Sequence, residues 1–206
     1  MATFHKDEMH IALAEGTAAL RSTRQISFGD GEVFPALSPD EKKIAYVDWS
    51  RGGGIKIVNI DGGEPRVIQA TTYFEMLAWA PDGAGLVYSG RDDLWTVRLD
   101  EGKPRSIAAG AGRKYYPSYT ADGRFIVFQR IQENKDDIWK VPVEGGQVQA
   151  LVTSGMFPRA APVGTRVAYF QHPTPDEWEL HTLDTSNGKD QVMVTGASLA
   201  PYHPYT

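Results

Sequence analysis

The sequence predicts an all-β fold in which a four-stranded antiparallel sheet repeats along the chain, and three observations support this prediction. A turn phrase with a central Asp recurs at Asp40, Asp82 and Asp122, which are 42 and 40 residues apart. A strand-like apolar segment follows each phrase, and a turn-forming segment, usually acidic-glycine, divides the second half of each unit. No amphipathic helical period of useful length is present. Four short strands in a repeat of about 41 residues are typical of a β-propeller blade.

The first half of each unit predicts a hairpin around the turn phrase. A short apolar-aromatic run precedes the phrase and a strand-like segment follows it: VFPALS with KIAYVDW, EMLAWA with GLVYSG, YYPSYT with FIVFQR, and MFPRAA with RVAYFQ. Proline presets φ in such turns, and Asp accepts a hydrogen bond from its own backbone nearby. A degenerate fourth copy places Gly164 where the third copy has Gly123.

The second half of each unit predicts a further hairpin with the same plan. The four copies are GIKIVNIDGGEPRVI, DLWTVRLDEGKPRSI, DIWKVPVEGGQVQAL and EWELHTLDTSNGKDQVMV. Val, Ile, Trp and Thr in period-two order favour strands, and the Gly residues supply the positive φ of tight turns. Because Trp79, Trp95 and Trp139 stand at repeat positions, we expect them to pack between blades.

The repeats predict one β-propeller domain over residues 1–206, with four full blades. The predicted segments are a half blade at 5–29, blades at about 30–70, 71–111, 112–153 and 154–196, and a partial inner strand at 197–206. Two arrangements fit this count: the two ends complete a fifth blade, or the chain is part of an incomplete six-bladed ring. In the second arrangement, open blade edges would favour a homo-oligomer.

Composition limits the classes of partner. The net charge is −5, which argues against a nucleic-acid surface, because such a surface needs a clustered positive patch. The chain has no Cys, and no run of about 18 apolar residues predicts a membrane span. We therefore expect a globular, soluble protein without disulfides, thiolate metal sites or a cysteine nucleophile.

The recurring phrases resemble the WD-like repeats of the TolB family propeller across residues 7–206. The resemblance implies the same propeller fold, and a periplasmic or secreted location if the parent protein is TolB-like, otherwise a cytoplasmic one. Full TolB-like proteins also have an N-terminal α/β domain and about six blades. The segments that carry the resemblance are Ser38-Pro39-Asp40, Ala80-Pro81-Asp82-Gly83, Ala121-Asp122-Gly123, Asp93-Leu94-Trp95 and Asp137-Ile138-Trp139.

No catalytic motif stands out. The chain has no Gly-x-Ser-x-Gly segment, and its five histidines have no metal-ligand spacing. Acidic pairs such as Asp92-Asp93 and Asp136-Asp137 recur in most units, so we expect them to shape loops by accepting hydrogen bonds, with Ca²⁺ binding as the alternative. No cofactor is predicted. Some lyases with similar repeats hold a metal through channel histidines, which makes His203 the candidate for that chemistry.

A binding surface is predicted where residues precede the first strand of each blade, around one mouth of the channel. Aromatic and Arg side chains are enriched at interface hot spots. The candidate residues are Tyr73, Lys114, Tyr115, Tyr116, Arg159, Tyr202 and His203. The alternative for neighbouring aromatics of this group, notably Phe34, Tyr116 and Phe157, is burial between blades.

These features favour a non-enzymatic propeller that binds a protein or peptide. A propeller enzyme, a saccharide lyase or hydrolase with its site in the channel, is the first alternative. A structural module that associates with itself through open blade edges is the second.

Overall fold

The described part of the chain consists of strands, turns and loops, without helix. The structure, a computed structural model, describes residues 4–5, 8–9, 12–15, 22–26, 29, 31–70, 74–108 and 110–196. Every regular element within these ranges is a β-strand, which confirms the predicted all-β class. The partial inner strand predicted at 197–206 lies outside the described residues.

Two short hairpins come first along the chain. They pair β1 (Phe4–His5) with β2 (Glu8–Met9), and β3 (Ala12–Glu15) with β4 (Ser22–Gln25). Four antiparallel sheets follow, each with four strands in chain order. The first sheet contains β5 (Glu32–Leu37), β6 (Lys43–Asp48), β7 (Gly54–Asn59) and β8 (Arg66–Gln69). The second contains β9 (Phe74–Trp79), β10 (Gly85–Gly90), β11 (Asp93–Arg98) and β12 (Pro104–Ser106).

The third and fourth sheets repeat this arrangement with longer strands. The third contains β13 (Arg113–Tyr119), β14 (Phe125–Gln132), β15 (Lys135–Pro142) and β16 (Gln149–Val152). The fourth contains β17 (Met156–Ala160), β18 (Arg166–Thr174), β19 (Glu177–Asp184) and β20 (Asp190–Thr195). The chain divides into two compact units, residues 1–106 and 107–206, so each unit holds two of the four sheets. The blade boundaries named above stay a prediction.

The turn between the first two strands of a sheet has the predicted Asp geometry. The Oδ1 atoms of Asp40, Asp82 and Asp122 each accept a hydrogen bond from the backbone N–H two residues later, at 3.2, 2.8 and 3.0 Å. The hydroxyls of Ser38 and Thr120 donate to the same carboxylates at 2.6 Å in the first and third sheets. These side-chain bonds substitute for ladder hydrogen bonds where the strands separate.

The second strand of each sheet in the first unit, β6 or β10, is buried on both faces. On β6, Ala45 and Val47 contribute to a core shared with the second sheet, whereas Ile44 and Tyr46 pack on the other face with Ile26. Successive side chains of a strand point to opposite faces, so burial of both faces requires a near-continuous apolar run. The segment KIAYVD is such a run.

Tryptophans occupy the predicted packing positions. Trp79 is buried in the core shared by the first and second sheets, and its Nε1 donates to the carbonyl of Ala36 in the neighbouring sheet at 2.9 Å. Trp95 is half-buried against the same core. In the second unit, the guanidinium of Arg130 lies 3.6 Å from the ring centroid of Trp139. The packing between blades that the sequence predicts is thus confirmed for Trp79.

Candidate functional site

In three of the four sheets, the first strand has an irregular backbone at an aromatic residue followed by proline. Phe34, Tyr116 and Phe157 have φ values of 52°, 52° and 54°, and each lies where the pairing register of β5, β13 or β17 shifts. A residue with a large side chain rarely adopts this left-handed conformation, which costs on the order of 1–3 kcal/mol. The surrounding structure must therefore hold these aromatic rings in place.

The bulge of β17 is held by side chains of the third sheet. Phe157 N–H donates to Oε1 of Gln129 at 3.0 Å, and Gln129 is only 3% exposed. Three residues later, Ala160 N–H donates to Oγ of Ser118 at 3.1 Å. The first bond satisfies a backbone donor within the bulge, and the two bonds together fix β17 relative to β13 and β14.

Tyr116 and Phe157, the strained residues of the second unit, belong to a series of aromatic side chains in contact, which we call the aromatic cluster. It contains, in order of contact, Tyr115, Tyr116, Phe157, Phe170, Trp178 and His172. Successive ring centroids are 6.5, 4.7, 6.4, 6.3 and 4.8 Å apart. Most contacts are edge-to-face or tilted, whereas His172 stacks on Trp178 at 29°. His172 is exposed and the other members are half-buried, so each residue of the cluster retains contact with solvent.

Arg159 and Lys114 border the aromatic cluster but differ in exposure and in hydrogen bonding. Arg159 is an exposed residue of β17, and it forms no hydrogen bond or ion pair with any described residue. Neighbouring atoms displace water from its guanidinium, which lowers the pKa of Arg159, while interaction with Tyr116 opposes this shift. Lys114 is 3% exposed, and its ammonium donates to the carbonyls of Gly110 and Gly112 at 3.0 and 3.1 Å. Arg159 can therefore reach a ligand, whereas Lys114 shapes the loop before β13.

The structure brings together part of the predicted binding surface. Tyr115 and Tyr116 are members of the aromatic cluster, and Arg159 and Lys114 lie beside it. The side chains of Tyr73, Tyr202 and His203 lie outside the described residues. A binding role for this set stays a prediction.

Sequence reasoning did not connect Phe170 and Trp178 to this surface. In the aligned repeats, Phe170 takes the place of Val47, Ser89 and Gln129. The aromatic residue at this position, unique to the fourth repeat, is the feature of the sequence that could indicate a special role for Phe170. Its contact with Phe157 depends on how β17 and β18 bend. Trp178 has its own signal, because it follows the two-proline loop that begins at His172.

Two carboxylates of the acidic pairs accept hydrogen bonds within the protein. Asp93 accepts from Leu94 N–H at 2.8 Å and from the hydroxyl of Ser106 at 2.6 Å, and Asp137 accepts from Ser154 N–H at 3.0 Å. Within the described ranges, no group of three or more His, Asp or Glu residues is placed to hold a metal ion. In the same part of the chain, no helix is long and apolar enough to cross a membrane.

Comparison with known proteins places this arrangement in a family. The chain is 28% identical over 173 residues to an uncharacterized protein of Agrobacterium fabrum, covering 76% of this chain and 59% of that protein. It is 24% identical over 183 residues to dipeptidyl-peptidase 5 of Porphyromonas gingivalis, covering 82% of this chain and 25% of that protein. The chain thus spans less than two thirds of the length of either curated relative.

The solved structures agree with the sequence relatives. The structure of a TolB candidate from Agrobacterium tumefaciens matches with a TM-score of 0.77 and 25% identity, over 86% of this chain and 71% of that chain. The family described as the TolB beta propeller domain matches residues 20–201, which is most of the sequence. These matches confirm the β-propeller fold class and the resemblance predicted from the repeats. The chain therefore belongs to the family of TolB β-propeller domains.

Proposed function

We propose that this chain is a protein- or peptide-binding scaffold that uses the aromatic cluster and Arg159 as its contact surface. The observation that carries the proposal is the left-handed backbone at Tyr116 and Phe157. Strained backbone of this kind persists only where other contacts enforce it, and it is found most often at functional sites. Here it presents two aromatic rings in one fixed T-shaped pair with centroids 4.7 Å apart.

The composition of the surface supports macromolecular binding. Tyr, Trp and Arg are the residues that contribute most to interface energies when truncated. Rings held by the backbone lose little conformational entropy on binding, which favours affinity. The guanidinium of Arg159 has its donors available for a carboxylate or backbone carbonyl of the partner.

The family supports the same function at a coarser level. Membership of the TolB β-propeller family establishes a propeller scaffold, and the match to the peptidase covers 25% of that protein's length. A repeated propeller module that recurs in proteins of different activity is suited to recognition rather than to one reaction.

The test is a peptide selection followed by affinity measurement. Peptides selected from a displayed library on the immobilised chain would be synthesised and titrated by calorimetry. We expect Tyr115→Ala and Arg159→Ala each to weaken binding about tenfold or more, as removal of a hot-spot side chain does. Lys189→Ala, at an exposed residue before β20 and at the opposite end of the fourth sheet from the aromatic cluster, serves as the control and should bind normally. Unchanged affinity in both test variants would refute the proposal.

A further inference from the structure

A second candidate site is a cleft of about 450 Å³ between the third and fourth sheets, within the second unit. It lies at the end of these sheets where β13 is followed by the turn that contains Asp122, whereas the aromatic cluster begins near the other end of β13. Its volume falls in the range of small-molecule sites, about 300–1,000 Å³. Phe125, Val127 and Val167 provide an apolar part of the lining.

Two cations line this cleft without a hydrogen-bond or ion-pair partner among the described residues. Lys140 is half-buried, and its ammonium lies 5.0 Å from the ring centroid of Phe125. Arg166 is exposed at the start of β18. Neither side chain forms a hydrogen bond or an ion pair with a residue in the described ranges. The donors of a half-buried ammonium can bind a ligand oxygen in place of water.

The hydroxyl groups of the cleft already donate their protons to protein acceptors. Thr120 donates to Asp122 at 2.6 Å, while Thr165 and Ser186 donate to Asp184 at 2.8 and 2.6 Å. The hydroxyl of Thr185, the fourth in the lining, donates to the carbonyl of Thr165 at 2.8 Å. Lys140 and Arg166 are therefore the side chains of the lining with donors left for a ligand.

The negative charge of Asp122 limits the charge of the ligand that the cleft can bind. The hydrogen bond from Thr120 lowers the pKa of Asp122, so this carboxylate is ionised at neutral pH. The lining has two positive side chains, Lys140 and Arg166, and one negative side chain, Asp122. One carboxylate neutralises the remaining positive charge, whereas a ligand with two negative charges would leave one of them unpaired in the cleft. We infer that the cleft binds a small monocarboxylate whose apolar part packs on Phe125, Val127 and Val167.

The inference is tested on the full chain with three matched probes: 2-naphthoate, the neutral 2-naphthamide and the dianionic 2-naphthyl phosphate. Binding would be followed by chemical-shift changes in amide NMR spectra. We expect 2-naphthoate to shift the amides of Gly164 and Thr165 and to bind about tenfold tighter than the amide, as charge-assisted hydrogen bonds require. Equal binding of acid and amide overturns the inference. Tighter binding of the phosphate overturns the choice of a monocarboxylate.

Single-residue variants distinguish binding in the cleft from binding elsewhere on the surface. Lys140→Gln and Arg166→Gln should each weaken 2-naphthoate binding about tenfold, because each removes one charged donor. Lys135→Gln is the matched control, since it removes the same charge from the other end of β15. Wild-type affinity in both test variants, or equal loss in the control, overturns the inference. If a variant unfolds, the probe comparison on the unaltered chain still decides the question.

Discussion

At the scale of single residues, Glu41 stands in a turn position that is glycine in the other three repeats. Its φ is 58°, against 69°, 67° and 74° at Gly83, Gly123 and Gly164. A side chain in this left-handed conformation costs roughly 1–2 kcal/mol, which the greater freedom of unfolded glycine partly offsets. We therefore predict that Glu41→Gly raises the free energy of unfolding by about 0.5–1 kcal/mol.

Urea unfolding measures this effect, and the reverse exchange controls it. No atom lies within 4 Å of the position that a Cβ would take at Gly83, so Gly83→Glu adds backbone strain without a clash. It should lower stability by a similar amount. If Glu41→Gly is destabilising, the conformational argument for the whole turn series is wrong.

Asp184 makes the stability of the fold sensitive to acid. Its carboxylate accepts hydrogen bonds from the backbone and hydroxyl of Ser186, from Thr165 and from Asn187, at 2.6–3.2 Å. These bonds, led by the Ser186 hydroxyl, lower the pKa of Asp184 from 3.8 to about 2. The folded-state pKa is depressed, so the stabilisation is present above pH 3.8 and is lost as the pH falls towards 2.

We predict that Asp184→Asn lowers stability at pH 6 and flattens the decline in stability between pH 4 and pH 2. Thermal unfolding at a series of pH values gives both quantities. Asp176→Asn is the control, because the exposed Asp176 accepts no hydrogen bond from a described residue. The explanation fails if the two variants have the same pH profile.

At the scale of elements, Gln129 joins two neighbouring sheets. Its Oε1 accepts from Phe157 N–H in β17, and its Nε2 donates to Asp136 in β15. Gln129→Met keeps the length of the side chain but removes both hydrogen bonds, and loss of a buried hydrogen-bond partner costs about 1–3 kcal/mol. We therefore predict a loss of stability in that range, measured by urea unfolding.

The control for Gln129 is Gln149→Met on β16. Gln149 is exposed, so this change should alter stability by less than about 0.5 kcal/mol. Equal effects at the two sites would show that the bond between the sheets contributes little. The Gln129 variant should also weaken any ligand of the aromatic cluster, because the ring of Phe157 loses its backbone anchor.

At the scale of the whole molecule, the end strand of the fourth sheet carries exposed apolar side chains. β20 is the end strand of its sheet, and Val192, Met193 and Val194 are 46%, 52% and 47% exposed. An exposed apolar edge strand can pair with a strand of another chain. We predict concentration-dependent association in light scattering, and we expect the double change Val192→Lys and Val194→Lys to reduce it.

Val163→Lys is the control for association, since Val163 is 78% exposed but lies in a turn. This change should leave association unaltered if edge pairing is the cause. A strictly monomeric chain at all concentrations would contradict the prediction.

The sequence by itself determined the class of fold. The Asp turns, the glycine turns and the apolar segments are local features, and their recurrence specifies four-stranded sheets before any long-range contact is known. It also identified Tyr115, Tyr116 and Arg159 as candidate surface residues, because their positions repeat. The resemblance to TolB propellers followed from the same phrases, and the family match confirmed it.

Only the tertiary structure decided which side chains meet and which remain available. Lys114 and Arg159 are both basic residues near the predicted surface. Lys114 is buried against backbone carbonyls, whereas Arg159 forms no hydrogen bond or ion pair with a described residue. The contact between Phe157 and Phe170, and the cleft beside Lys140, depend on the bulge of β17 and on packing between sheets. Local sequence specifies turns and strands, whereas burial and ring contacts depend on residues distant in the chain.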